Sequence, residues 1–345
     1  MADTVVEASA PGKLVLSGEY AVLEGAPAVV VAISRRARVT LTEGGGDTCT
    51  VDAPSLGIAG ARGRLDSAGR IEWVEGVEFA PQLRLVAAVI ETAAGSLGFD
   101  ARLDTDAFFH TGAGRRSKLG LGSSAAIAVA LAAALAARAG GPVPAAAELI
   151  AAHRRLQGGR GSGVDIAAAV NGGVQIYRLA HGRPETLSAV WPPGLCWRCI
   201  WSGKSASTGE FLGRIAAWRQ RAAAEYGSIM AELGDLADAT AAALANADVA
   251  ALLEALRAYA AALNRLGVAS GVDIVSREHR TLSNIAADCG VVYKSCGAGG
   301  GDIGIALAAD AEALERFAGR AVHAGFEALD LAMEPQGVTV QAANE

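Results

Sequence analysis

The chain has 345 residues, more than one average domain and enough for two. It is 52% hydrophobic and 19% charged, which supports a sizeable core and excludes a disordered chain. Its net charge of −6 argues against a nucleic-acid binder, whose phosphate contacts need a basic surface.

The opening residues MADTVVEASAPGK hold no basic stretch followed by an apolar run, so no signal peptide is expected. Val5 to Ala8 reads as a short strand leading into Pro11-Gly12. Leu14 to Leu23 and Ala28 to Ile33 are apolar and partly β-branched. Arg36 to Thr42 alternates and ends at the turn signal Glu43-Gly44-Gly45-Gly46-Asp47. Cys49 to Val51 and Ile71 to Val77 read as strands around a glycine-rich loop, and Pro81 to Leu97 as a helix.

Arg102 to Phe109 is expected to be a strand, Gly112 to Gly122 a basic glycine-rich loop, and Ser123 to about Arg138 a helix. The apolar run of that helix, Ala125 to Ala137, falls short of the ~20 residues a membrane span needs. No membrane association is expected. Pro144 to Leu156 is a further helix. A second glycine loop, Gly158 to Gly163, opens Val164 to Val170, and Val174 to Arg178 is a strand.

Composition shifts at Pro192-Pro193, which places a domain boundary there: 1–190 and 191–345. Cys196 to Trp201 is a strand. Its two cysteines have redox or zinc spacing, but no second pair accompanies them, so they read as strand residues. Five cysteines at irregular spacing fit reduced thiols and a cytoplasmic protein. Glu210 to Leu266 reads as two or more long helices and Val275 to Asp288 as another. Tyr293 to Gly304 is a third glycine loop. Ile305 to Leu307 is a strand, Ala311 to Ala324 a helix, and Leu329 to Val340 has strand character.

Gly120-Leu121-Gly122-Ser123-Ser124-Ala125 lies at a helix start. Glycines let backbone N–H groups approach a phosphate, and the helix dipole favours the anion. Ser123 and Ser124 are expected to cap the helix and to offer hydroxyls to phosphate or Mg²⁺. The loop lacks the G-x-x-x-x-G-K-[ST] spacing of P-loop proteins. The strand lysine, HRD and DFG of protein kinases are absent too. Lys294 to Asp302 holds only Gly or Ala at its five positions Gly297 to Gly301, which implies close backbone approach to something.

Lysine and arginine number 30, yet only four are lysines: Lys13, Lys118, Lys204 and Lys294. Each lies in or beside a glycine-containing segment, where a compact ammonium suits phosphate as a point charge. The five histidines have no i, i+4 partner and read as structural or surface residues.

Together the motifs resemble those of the GHMP kinase superfamily. Ala10-Pro11-Gly12-Lys13 with Gly18-Glu19 is similar to its first motif, Gly120 to Ala126 to its second, and Gly297 to Gly301 to its third. Within it, Gly18-Glu19-Tyr20-Ala21-Val22, Lys118 to Ser124, Gly161-Ser162-Gly163-Val164-Asp165 and Gly301-Asp302 resemble phosphomevalonate kinases of the bacterial and fungal type. Cys296 and Ile303 stand where Ser and Cys are more usual. The K-Y-W-G-K start of mevalonate diphosphate decarboxylases is absent.

The resemblance implies an α+β, two-domain fold: a first domain like ribosomal protein S5 domain 2 and a ferredoxin-like second. It implies a cytoplasmic monomer or homodimer that binds ATP and Mg²⁺ and phosphorylates 5-phosphomevalonate. It places ATP on Gly120 to Ala125 and on Gly297, Ala298, Gly299 and Gly300, with Ser123 or Ser124 holding Mg²⁺. Lys13 and Lys118 would bridge the two phosphates, with Asp165 orienting Lys13 or assisting Mg²⁺. Tyr20, Ser162, Lys204, Ser295 and Asp302 would contact substrate, with Ser205, Ser207 and Thr208 beside Lys204. The rivals are mevalonate kinase, another GHMP small-molecule kinase, and a non-catalytic nucleotide-binding regulator. A regulator would not need Lys13, Lys118 and Asp165.

Overall fold

The computed structural model describes residues 4–93, 98–112, 115–156, 161–206 and 208–344. Its first sheet is built on two long antiparallel strands, β1 (Thr4–Ser17) and β2 (Ala28–Glu43). Ahead of Pro11-Gly12 the sequence reads only Val5 to Ala8 as a short strand. The chain instead absorbs that dipeptide as a β-bulge and continues. The first half of β2 pairs with β9 (Val174–Ala180) and its second half with β6 (Phe99–Asp104), so one strand serves two neighbours on the same edge.

Beyond β6 lie β3 (Thr48–Ala53), β4 (Ile58–Leu65) and β5 (Ile71–Glu75). β10 (Arg183–Ala189) closes the opposite edge beside β9. β4 and β10 are strands that the sequence reading passes over. Gly60 and Gly63 interrupt the first, and the second is mostly exposed, which removes the apolar signal.

Helix α2 (Ser123–Arg138) packs against β1 and β2. Eleven of its sixteen residues are buried, because small alanines let it sit between the sheet and helices α1 (Arg84–Ala93) and α4 (Val164–Asn171). Helix α3 (Ala146–Leu156) packs on α1 and α4.

The expected strand over Arg102 to Phe109 breaks at a 3₁₀ turn over Asp106–Phe108. Part of the expected loop over Gly112 to Gly122 is a hairpin of β7 (Phe109–Gly112) and β8 (Arg115–Lys118). Lys118 thereby sits at a strand end, paired with Phe109, rather than in a free loop. The predicted residues 94–97, 113–114 and 157–160 lie outside the described residues.

A second, wholly antiparallel sheet has the order β12 (Val292–Ser295), β13 (Ile303–Ala308), β11 (Cys196–Trp201), β14 (Glu327–Leu329). Helices α8 (Arg277–Asp288) and α9 (Ala311–His323) cover one face around Phe317 and Leu282. The other face shares a core with the first sheet, where Ile303, Ile305 and Leu307 join Leu14, Leu16, Val29 and Val31.

Helices α5 (Thr208–Arg221), α6 (Ala223–Ala245) and α7 (Val249–Ser270) form a third cluster that encloses Tyr20 and Ala21. The last strand, β15 (Thr339–Asn344), returns to pair with β1 in the first sheet. The architecture is α+β, as expected.

Candidate active site

The site gathers where β1, the start of α2 and the loop after β12 meet. Lys13 lies on β1, and its backbone N–H donates to the Leu121 carbonyl at 2.9 Å, which fixes the glycine–serine loop against the strand. Its ammonium reaches the Gly120 carbonyl at 3.4 Å. Gly122 occupies the N-cap of α2 in the left-handed region, φ 81°, with no side-chain cap. Ser123 and Ser124 are therefore first-turn residues and not caps. This corrects the capping expectation and leaves both hydroxyls without a hydrogen bond among the described residues.

Asp165 sits in the first turn of α4. A Cβ added at Gly122 would lie 3.3 Å from the Lys13 side chain and 3.7 Å from that of Asp165, so both flank this glycine. Among the described residues they form no direct ion pair. Lys13, Tyr20, Ser162, Asp165, Gly297 and Ala298 line one cavity of about 170 Å³, with Glu19 in its wall. Tyr177 fixes the second loop by donating to the Ser162 carbonyl at 2.6 Å.

Asp302 joins the group from the third loop. A Cβ at Gly120 would lie 2.3 Å from its Oδ2, so only glycine allows the carboxylate to rest there. Burial raises the Asp302 pKa, opposed by the Ala206 N–H bond at 3.1 Å and by the fields of Lys13 and Lys118. Lys118 is exposed as a residue, but burial around its ammonium draws its pKa down, with Asp302 opposing the effect and Lys13 adding to it. Both ammoniums thus lie within the electrostatic reach of one carboxylate at the mouth of the α2 loop, though neither forms an ion pair with it among the described residues. Ser205 secures this mouth by donating to the Lys118 carbonyl at 2.8 Å.

Other expected residues do different work. Tyr20 adopts a left-handed backbone, φ 64°, and its hydroxyl donates to the Ala298 carbonyl at 2.6 Å. Burial, and then Glu19, drives its pKa upward. Asp302 is the other strained residue of these motifs, φ 58°. The close approach implied by Gly297 to Gly301 is partly to the protein itself. A Cβ at Gly299 would lie 2.2 Å from the Ile274 carbonyl oxygen, and one at Gly300 would lie 2.3 Å from the Phe211 ring. Gly297 meets nothing within 4 Å and faces the cavity.

Lys294 is not a free phosphate cation. It is buried and bound to Glu19 Oε1 at 2.5 Å and to the Ser295 carbonyl at 2.6 Å. Ser295 is buried beside it and lines a different cavity. Lys204 contributes its carbonyl, which accepts from the Asp302 N–H at 2.6 Å, while its ammonium is exposed and its field reaches Glu278. Ser207 lies outside the described residues, and of Thr208 only the backbone is described, at the start of α5.

Sequence reasoning gave no role to Glu19 and read His279 only as a structural or surface residue. The ring of His279 bonds the Tyr293 hydroxyl and the Gly301 carbonyl, each at 2.8 Å. A carbonyl can only accept, so Nε2 carries the proton, and burial keeps the pKa below the ordinary histidine value. His279 therefore anchors the third loop. Its one sequence signal is that it follows Ser276, the N-cap of α8.

Magnesium accepts oxygen ligands and keeps several waters and substrate phosphates. Among the described residues no group of three or more His, Cys, Asp or Glu could hold a metal alone. The two free hydroxyls and nearby Asp165 fit an ion bound mainly through phosphate. No helix of the described residues is long and apolar enough to cross a membrane.

Residues 83–173 match the GHMP kinases N terminal domain. Over 341 residues the chain is 32% identical to a phosphomevalonate kinase from Streptomyces sp. (strain CL190), covering 88% of this chain and 90% of that protein. It is 34% identical over 173 residues to a mevalonate kinase from Aeropyrum pernix, half of each chain. Its fold is similar to that of Streptococcus pneumoniae phosphomevalonate kinase in complex with phosphomevalonate and AMPPNP. There the TM-score is 0.75 at 21% identity, over 95% of this chain and 99% of that one.

Proposed function

The chain belongs to the GHMP kinases, and from that premise we propose that it transfers the γ-phosphoryl group of ATP to 5-phosphomevalonate. The product is 5-diphosphomevalonate, in the mevalonate route to isoprenoids. The observation that carries this reading is the Lys13–Lys118–Asp302 cluster at the mouth of the α2 loop.

A phosphate monoester has a second pKa of about 6, so at neutral pH the acceptor oxygen is largely anionic and needs no base. The obstacle is repulsion between two polyanions, and catalysis consists of positioning and charge neutralisation. Lys13 and Lys118 supply two cations on one side of the loop. Asp302 balances them before substrate arrives, and the acceptor phosphate takes over as their counter-ion. The N–H groups of Gly120 to Ala125 receive the ATP phosphates at the helix start.

Bound Mg²⁺ would neutralise phosphate charge. Ser123, Ser124 and Asp165 are the residues that would hold it. Ser124 is the more exposed of the two hydroxyls. Tyr20 and Ser162 line the cavity that would receive the organic part of the acceptor. In this reading 1–190 and 191–345 act as two units in the cytoplasm, with β15 tying the second back to the first sheet.

Steady-state ADP release on 5-phosphomevalonate against mevalonate tests the proposal. A clear preference for the phosphorylated acid supports it, and a preference for mevalonate rejects it. One observation favours mevalonate as the acceptor: Asp165 flanks Gly122 beside Lys13, where it could take the proton of an alcohol. Asp165→Asn then separates the two readings. It abolishes turnover on an alcohol and only weakens turnover on a phosphate.

A further inference from the structure

We propose that the cavity between α7, α8 and β12 is a second ligand site, for a small organic anion whose occupancy weakens acceptor binding. The cavity measures about 410 Å³, within the size range of small-molecule sites and larger than the Lys13 cavity. Its lining carries the cations Arg257 and Arg280, with His279 and the Glu19-paired Lys294 in its floor, and not one Asp or Glu, in a chain whose net charge is −6. Such a local reversal of sign draws anions.

The polar groups at its mouth are largely unused. Arg257, Asn264 and Asn284 make no hydrogen bond or ion pair among the described residues. Arg280 is held by the Val275 carbonyl and, at 3.5 Å, by Asp273. Apart from Ser283, Tyr293 and Ser295, the rest of the lining is apolar, from Ala260 and Leu263 on α7 to Val292 on β12. An anionic head, carboxylate or phosphate monoester, would bind Arg257 and the two amides. A short apolar body would fit behind it.

The floor connects this cavity to the catalytic loops. Lys294 spans from it to Glu19, in the wall of the Lys13 cavity. His279 spans from it to the Gly301 carbonyl, next to Asp302. An anion in the cavity pulls, through its field alone, on the buried Lys294 that holds Glu19. That loosens the first motif and raises the KM for the acceptor.

Two probes test this on the full chain: n-butyl phosphate and pentanoate, titrated by calorimetry without nucleotide. At least one should bind with one-to-one stoichiometry. Arg257→Ala should weaken it about tenfold or more, the loss of one charge-assisted bond. Lys118→Ala should leave it unchanged, which separates this cavity from the phosphate site. Absence of binding by both probes overturns the proposal. So does binding that Lys118→Ala removes and Arg257→Ala spares. The bound probe should raise the acceptor KM about fivefold or more in the wild type, a coupling of ordinary size, and not in Arg257→Ala. Binding with unchanged kinetics overturns the coupling. The calorimetric result stands whichever acid proves to be the acceptor.

Discussion

Replacing Lys294 by Met should cost the fold about 3–5 kcal/mol, the usual penalty for removing one partner of a buried ion pair. The side chains of Lys294 and Glu19 are 0% and 3% exposed, with 2.5 Å between Nζ and Oε1. At that separation the gross attraction is about 7 kcal/mol for an effective dielectric near 20, before desolvation of both ions is subtracted. Glu19 Oε2 already lacks a hydrogen-bond partner, so the carboxylate has no second cation to fall back on. In Lys294→Met it would stay buried with its charge uncompensated. Removing both charges, as Glu19→Leu with Lys294→Met, should recover most of the loss, because an apolar pair of similar volume is often no less stable. Urea unfolding followed by tryptophan fluorescence gives the four corners of this cycle. A single-variant cost below about 1 kcal/mol, or strictly additive costs, would refute the buried-pair account.

Three further outcomes follow from the site. Lys118→Ala should lower turnover about 100- to 1,000-fold, the scale of losing one transition-state donor, with nucleotide affinity by fluorescence titration nearly intact. Because its environment lowers the Lys118 pKa, kcat/KM for the acceptor should begin to fall at a pH below that of an ordinary lysine; Lys118→Arg, which cannot lose its proton, should lack that limb. Gly299→Ala should cost about 2–5 kcal/mol through left-handed strain plus collision with the Ile274 carbonyl, whereas Gly297→Ala should cost only the strain, about 1–2 kcal/mol, by the same unfolding assay.

Much of this was legible in the sequence where local signals and tertiary demands agree. Ser123–Arg138 and Cys196–Trp201 begin and end where their residues predict, since apolar runs there are bounded by glycine, charge or turn. The reading failed where a breaker is tolerated by pairing. Pro11-Gly12 does not end β1, because β2 supplies a register shift on the other side. It failed again at Lys294, whose glycine-rich neighbourhood is that of a phosphate-binding lysine. Its partner Glu19 lies 275 residues away, and only the fold reveals that the charge is already spent. The same holds for Gly299 and Gly300. Sequence shows that something approaches them closely, and the structure shows that it is Ile274 and Phe211. Lys118 and Asp302 were singled out separately, and folding brings them to one mouth.

The central claim, that two lysines at the α2 loop serve an acceptor that is itself a phosphate, is tested most directly by ADP release on 5-phosphomevalonate and on mevalonate, with wild type and Lys118→Ala side by side. The account predicts turnover on 5-phosphomevalonate that collapses in Lys118→Ala, and little or none on mevalonate. Efficient turnover on mevalonate, or an undiminished rate in Lys118→Ala, would contradict it.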